Sequence, residues 1–584
     1  MTPAAIYRRR LEERTAIVRG HEQQHLRLGN IRLLLGLAAA VIAWMAFAER
    51  SLPAVWLALP VLTFIPLAVW HEAILRRKTT AQRAVRFYER GLARIEDRWT
   101  GSGEPGEEFR DPAHPYADDL DLFGRGSLFE LLNAARTHGG EAKLASWLRA
   151  DEVPDAAAIA ERQRAILDLR ARLDLREDLF VLGEDARGKL RSDALAAWAE
   201  SPPVLGGGRW IAVGLTVLVV AGALAARLTG HITLLLVPVM AAAAFGFRMR
   251  LRVLSVIAHL DDAVHEIDLL RGMLLRLEAE PFPNPPFPKA SPPSSHISRL
   301  HRLAELVDSR DNAVIRLIGP PLLYTTHLAF AVERWKQASG ALVRQWIETL
   351  NEMEALLSLA GYSFEHPSDP FPEFVSAPIL EGESLGHPLL EAARCVTNPV
   401  RLGGERQLLL ISGSNMSGKS TYLRTVGVNV VLAMAGAPVR ARSLRLCPLH
   451  VGASISVSDS LQGGSSRFYA EITRLKQIVD LTRSGGAALF LLDEFLHGTN
   501  SHDRRIGAEG VLRGLVAKGA LGMVTTHDLA LTEIVATLAD RASNAHFEDH
   551  LEAGQLRFDY TLRPGVVQKS NALELMRSIG LDIP

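Results

Sequence analysis

The sequence predicts a mixed α and α/β protein, in which a helical region interrupted by transmembrane helical hairpins precedes a phosphate-loop α/β domain. Three observations carry this prediction. Four uncharged apolar runs come as two close pairs, polar helical texture surrounds them, and from about Ile379 short apolar runs alternate with glycine-bearing turns. At 584 residues the chain exceeds one ordinary core. Lysine plus arginine and aspartate plus glutamate both number 65, so no overall basic balance marks a dedicated nucleic-acid binder, and any DNA affinity belongs to a local patch. Two cysteines, Cys395 and Cys447, are too few for a disulfide framework or a Cys-rich zinc site and fit a reducing compartment, which leaves metal chemistry to oxygen ligands.

Residues 1–30 read as a cytoplasmic N-terminal helix, and residues 31–75 as a first hairpin built from Leu33 to Ala48 and Leu52 to Trp70. Residues 76–208 read as a helical core domain, with amphipathic stretches at Leu128 to Leu148 and Ala157 to Leu182. A second hairpin, residues 209–248, contains Trp210 to Ala226 and Ile232 to Phe247. Each run lies near the lower limit for crossing a bilayer, where ~20 residues are typical and ~17 suffice. Short Ala-rich runs also occur as buried core helices, but the pairing and the charged flanks favour spans. Arg8, Arg9, Arg10, Arg27 and Arg32 precede the first hairpin, Arg76, Arg77 and Lys78 follow it, and Arg248, Arg250 and Arg252 follow the second. Because cytoplasmic flanks are enriched in basic residues, these place the soluble parts on the cytoplasmic side of an inner membrane. Residues 249–375 continue the helical domain through a proline-rich linker at 280–296, where proline lacks the donor a helix needs. Helical patterning resumes from Ser298 to Leu359, and residues 376–584 form the α/β domain.

The strongest chemistry opens that domain. Gln407 to Ile411 reads as a buried parallel strand feeding into Gly413-Ser414-Asn415-Met416-Ser417-Gly418-Lys419-Ser420-Thr421. This is G-x-x-x-x-G-K-[ST]: the glycines let backbone amides face phosphate oxygens, Lys419 neutralises the outer phosphates and Ser420 reaches Mg²⁺. A helix starting at Lys419 adds its positive end to the same anion. A second strand pattern, Ala488 to Leu492, ends in Asp493-Glu494. There Asp493 is placed to hold Mg²⁺ and Glu494 to orient or deprotonate the attacking water. A third, Leu521 to Thr525, ends at Thr526-His527, and His527 is the candidate γ-phosphate sensor. ATP and Mg²⁺ are therefore the expected cofactors of an ATP hydrolase.

These motifs, taken with Asp459 to Glu471 between them, resemble the MutS family of ATPases. The Asn-Met pair in the phosphate loop is similar to the MutS loop, and Leu491 to Asn500 resembles its second motif and subunit-contact loop. The resemblance implies that Ser466 contributes in trans to the nucleotide of a partner subunit, and hence a homodimer. Upstream, Gly126 to Thr137, Leu144 to Leu148 and Glu161 to Gln163 resemble the start of the MutS core helical domain. Leu385-Gly386-His387-Pro388 resembles the entry to its ATPase domain, and Ser570 to Gly580 its closing helix.

The departures are equally informative. Membrane hairpins stand where mismatch-repair members carry a mismatch-reading domain. Phe87-Tyr88-Glu89 mimics the family's aromatic wedge triplet, yet it sits in a continuous charged helix, Ala81 to Trp99, whereas an intercalating aromatic needs a loop or strand exposed to the groove. The resemblance implies a membrane-anchored, ATP-dependent dimeric clamp of the mismatch-repair family, with the lipid bilayer as a partner and DNA as a candidate one. The alternative is an ABC-like membrane motor, since Leu461-Gln462-Gly463-Gly464-Ser465 also resembles an ABC signature, or an ATP-gated scaffold not acting on DNA.

Overall fold

The computed structural model describes residues 1–184, 192–455, 467–483, 485–496, 501–552 and 555–567. Helix α1 (Pro3–Phe47) runs unbroken from the charged N-terminal stretch through the first apolar run, capped by Thr2, whose hydroxyl accepts from the Ala5 N–H. Helix α2 (Ala58–Ile95) returns antiparallel beside it. Lys78 meets Glu22 at 2.7 Å, and the Arg32 guanidinium lies 5.0 Å over the Phe64 ring. Phe87 and Tyr88 are buried within α2 against Tyr7 and Phe180, so the wedge-like triplet is internal helix.

Five helices follow: α3 (Leu128–Leu132), α4 (His138–Arg149), α5 (Ala156–Arg170), α6 (Leu173–Gly183) and α7 (Ser192–Glu200). The amphipathic stretches expected at 128–148 and 157–182 are each interrupted. After Asn133 the chain turns extended, because its amides find partners outside a helix: Ala134 N–H donates to Ser358 Oγ at 3.0 Å and Arg136 N–H to Glu354 Oε1 at 2.9 Å. Thr137 then caps α4 through a bond from Gly140 N–H. At Arg172 the guanidinium clamps Asp168 and Glu280, fixing the break between α5 and α6.

The second hairpin is α8 (Arg209–Thr229) and α9 (Thr233–Ala279), the latter continuing well past the apolar run. Gly222 makes their close crossing feasible, since a Cβ there would lie 2.3 Å from the Leu234 carbonyl oxygen. Beyond the linker, α10 (Pro293–Asp308) begins earlier than the pattern indicates, with Pro293 at its first position, where no N–H is needed. The expected helix to Leu359 is in fact three: α10, the short α11 (Ala313–Ile318) capped by Asn312, and α12 (Tyr324–Glu365). Pro320 and Pro321, lacking N–H donors, separate the last two. Helix α12 is the axis of the helical region, packing on α4, α5, α7, α9 and α10.

The α/β region holds two sheets. A small one orders β1 (Glu373–Phe374), β5 (Ser443–Leu446), β2 (Ile379–Leu385) and β3 (Asn398–Gly403). The main sheet has six strands in the order β10 (Gln555–Pro564), β9 (Ala542–Glu552), β4 (Leu408–Ser412), β8 (Leu521–Thr526), β7 (Ala487–Asp493) and β6 (Leu449–Ser454). It is parallel except for the β9–β10 edge pair. All of β4 is buried, as a central parallel strand covered on both faces requires. Helices α13 (Lys419–Ala435), α14 (Arg467–Leu481) and α15 (Ser501–Ala517) provide the cover. The fold is thus an N-terminal helical region with four helices long and apolar enough to cross a membrane, and a C-terminal α/β domain.

Candidate functional site

The site forms where β4, β7 and β8 end side by side. Their register places Ser412 against Thr526 and Asp493 against Thr525, so the loops that follow all leave the sheet at one edge. Open α/β sheets bind ligands at such a carboxyl edge. The loop from β4 needs unusual backbone conformations, with Met416 at φ 69° and Gly418 at φ 100°, and it delivers Lys419 as the first residue of α13. Lys419 is buried. Its Nζ donates to the carbonyls of Gly413 and Ser414, both at 2.9 Å, and stands 3.5 Å from Glu494 Oε1. Burial lowers its pKa, an effect opposed by Glu494 and Asp493.

Glu494 joins the motifs. Its backbone is left-handed, φ 45°, and its N–H bonds Thr525, so the residue is bent out of strand geometry to face the phosphate loop. The same Oε1 lies 3.3 Å from His527 Nδ1. Lysine, glutamate and histidine from three loops therefore converge on one carboxylate oxygen. Asp493 accepts a hydrogen bond from the Thr525 hydroxyl and lines the same cavity as Ser420. Glu471 of α14 accepts from Leu496 N–H, tying α14 to the loop after β7. Ser466, Gly498, Thr499 and Asn500, and the closing segment Ser570 to Gly580, lie outside the described residues.

A cavity of about 530 Å³ opens beside these groups, within the range of small-molecule sites. Asn415, Met416 and the stretch from Gly418 to Thr421 line it. Ser414 Oγ and Ser417 Oγ are buried without a hydrogen-bond partner, an unusual state for hydroxyls inside a fold. Two orphaned hydroxyls in a loop of exposed amides suit phosphate oxygens. The oxygen donors Ser420 and Asp493 suit Mg²⁺. Among the described residues, a separate carboxylate and histidine cluster, Glu108, His138 and Glu141, lies on the helical region away from this cavity.

The cavity also uses residues that local pattern did not single out. Tyr560, with φ 54° in a bulge of β10, lies over Gly418, where an added Cβ would come within 3.0 Å of its ring. Asn398 holds that bulge: its Nδ2 donates to the Tyr560 carbonyl at 2.9 Å and its Oδ1 accepts from Leu562 N–H at 2.7 Å. Leu390, Cys395 and Val396 add apolar lining. His387, also lining the cavity, is pushed down to about 4 by burial and by Arg424 and Arg440, so it is neutral near pH 7. Its Nδ1 accepts from Leu389 N–H, which leaves Nε2 as the protonated nitrogen. No spacing rule marks Tyr560; only β10 pairing brings it here.

A parallel sheet carrying a phosphate-loop sequence after one strand and paired carboxylates at the end of another, with a single strand between them, defines a domain of the nucleotide-hydrolase class. Residues 409–583 match the family model described as MutS domain V. The chain is 32% identical over 259 residues to the DNA mismatch repair protein MutS of Natronomonas pharaonis, covering 44% of this chain and 29% of that protein. It is 32% identical over 267 residues to DNA mismatch repair protein MutS 2 of Halobacterium salinarum, covering the same shares, 44% and 29%. Against DNA mismatch repair protein MutS 2 of Haloarcula marismortui it is 38% identical over 176 residues, 30% of this chain and 18% of that one. The chain thus spans less than a third of the length of these curated relatives. It carries a MutS-family ATPase domain fused to a helical region with four candidate membrane-spanning helices.

Proposed function

We propose that this chain is a membrane-anchored ATPase in which ATP binding and hydrolysis open and close a homodimeric clamp on DNA. The observation that carries the catalytic part is the convergence of Lys419 and His527 on Glu494 Oε1, at 3.5 and 3.3 Å. The phosphate loop from Gly413 to Thr421 takes the phosphates, with Lys419 leaving its carbonyl partners for the outer oxygens. Glu494 orients and deprotonates the attacking water, and His527, 3.3 Å from it, senses the γ-phosphate. Ser420 and Asp493 hold Mg²⁺, which when bound neutralises phosphate charge. Tyr560, which lines the same cavity, stacks on the base. Ser466 completes the site of the partner subunit.

The membrane part rests on α1, α2, α8 and α9, whose apolar stretches are exposed, and their basic flanks support an ATPase domain on the cytoplasmic side of an inner membrane. The balanced charge, 65 basic against 65 acidic residues, favours a second reading in which the ATPase is a membrane motor or gates a scaffold and never meets DNA. Binding of duplex DNA by the detergent-purified chain, titrated from low to moderate salt with and without ATP, separates the two. The clamp predicts ATP-dependent, salt-sensitive binding. No binding at low salt eliminates it. Glu494→Gln should retain ATP and accumulate closed dimers, and turnover retained in that variant would remove Glu494 from its role. In mixtures of Ser466→Ala and Lys419→Ala chains, a partial return of hydrolysis supports the shared site, and none counts against it.

A further inference from the structure

The segment joining α11 to α12 lies beside the second hairpin, against the stretch of α8 that the membrane reading puts within the bilayer. Thr216 stands seven residues into α8 from Arg209, about 10 Å along the helix. Its hydroxyl is 3.1 Å from the Leu322 carbonyl and 2.8 Å from His327 Nε2. Non-helical backbone at such depth is tolerated only where its polar groups are satisfied internally. Here Pro320 and Pro321 carry no N–H, while the amides of Gly319, Leu323 and Tyr324 bond the carbonyls of Ile315, Pro320 and Gly319. The approach is close, since a Cβ on Gly246 of α9 would lie 3.1 Å from the Leu323 side chain. Helix α11 leads into this loop with Val314 63%, Leu317 79% and Ile318 50% exposed, a surface that suits hydrocarbon rather than water.

Between α9 and this loop runs a groove of about 590 Å³. Its α9 wall passes from Val239, Ala243 and Phe247 to Arg250, and Pro321 and Tyr324 form the other side. From Val239 to Arg250 is about 16 Å along the helix, close to half of a ~30 Å hydrocarbon core. The apolar part therefore spans one leaflet, and the arginine sits where that leaflet's headgroups begin. Exposed Arg248 and Arg252 lie within one helical turn of it on α9.

We propose that this groove binds one anionic phospholipid of the cytoplasmic leaflet, its acyl chain along Val239, Ala243 and Phe247 and its phosphate at Arg250. The assignment rests on α8 and α9 being membrane spans. It makes the start of α12 a lipid-contacting element, which the four apolar runs alone do not indicate. The test is native mass spectrometry of the full-length chain in detergent with phosphatidylglycerol or phosphatidylcholine added. Phosphatidylglycerol should be retained in preference, Arg250→Gln should reduce that preference about fivefold, and Ala243→Trp, filling the groove from an exposed position, should remove both lipids. Equal retention of the two lipids, no effect of Arg250→Gln, or displacement by millimolar inorganic phosphate would each overturn the proposal. Should Ala243→Trp not yield monodisperse protein, Arg250→Gln alone decides. Carbonate extraction of the same membranes keeps the two readings apart: release of the chain rejects the spans, whereas retention without lipid preference rejects only the groove.

Discussion

At the scale of single residues, Asn398 is the clearest case of a side chain whose role is positional. Its two hydrogen bonds, at 2.9 and 2.7 Å, hold the bulge that places Tyr560 over the phosphate loop. Asn398→Ala removes both, each worth about 1 kcal/mol, and frees Tyr560 from its left-handed conformation. We expect the KM for ATP to rise roughly tenfold, as about 1.4 kcal/mol of lost binding implies, with kcat nearly unchanged because Glu494 and Lys419 are untouched. Steady-state kinetics check this, and an equal loss in kcat would show that Asn398 acts on the chemistry instead. Lys419→Ala should behave differently and abolish nucleotide binding in equilibrium titrations. The contrast shows what sequence makes legible. Lys419, Asp493 and Glu494 are readable because each lies in a short motif at the end of an apolar strand run, whereas Asn398 and Tyr560 lie 162 positions apart and meet only through the β3–β10 contact.

At the scale of elements, the joint between α4 and α12 is built around a buried acid. Glu354 of α12 accepts from the Arg136 and Thr137 amides and from the Thr137 hydroxyl, and α4 sits so close that a Cβ on Gly140 would meet its Oε2 at 2.5 Å. Burial dominates over these donors and pushes the carboxyl up to about 7. A raised acid favours the protonated folded state. Its contribution is therefore complete below its ordinary value near 4.5 and lost as pH rises through about 7. Asp369, pushed up to about 6 by burial, acts in the same direction. Thermal melts of the wild type should thus lose stability between about pH 4.5 and 7, and Glu354→Gln should flatten part of that slope, by on the order of 3 kcal/mol in all. An unchanged slope would exclude Glu354 as the source. This joint also explains why helix periodicity overran the true ends of elements. The pattern from Leu128 to Leu148 is continuous in hydrophobicity, but the amides of Ala134, Arg136 and Thr137 are captured by α12, a tertiary competition that no local signal encodes. Strands β4, β7 and β8 were legible to within a residue or two because buried parallel strands carry their own apolar signature.

At the scale of the whole molecule, α12 connects the two apolar hairpins to the ATPase domain. Its start packs against α8 through His327 and Thr216, its last third carries α4, which in turn packs on α13 behind the phosphate loop, and its last residue, Glu365, receives the first hairpin. That last contact is an ion pair removed from solvent. Arg94 of α2 donates to both Glu365 oxygens, at 2.5 and 2.6 Å, the Tyr7 hydroxyl of α1 adds a bond at 3.2 Å, and the Glu365 side chain is fully buried. Such a pair is held in place by its geometry more than by net attraction, because removing two charges from water costs nearly what their contact returns. Losing one partner is then far worse than losing both. Arg94→Met should strand the Glu365 carboxylate and loosen the first hairpin by about 3 to 5 kcal/mol, whereas Arg94→Met with Glu365→Met should recover most of it. Limited proteolysis of the full-length chain in detergent reads this directly, as faster cleavage between the hairpin and α3 in the single variant and near wild-type protection in the double. Equal protection in all three would mean that the apolar contacts of Tyr7, Phe87 and Phe180 dock the hairpin by themselves, and that α12 transmits nothing through its charged end.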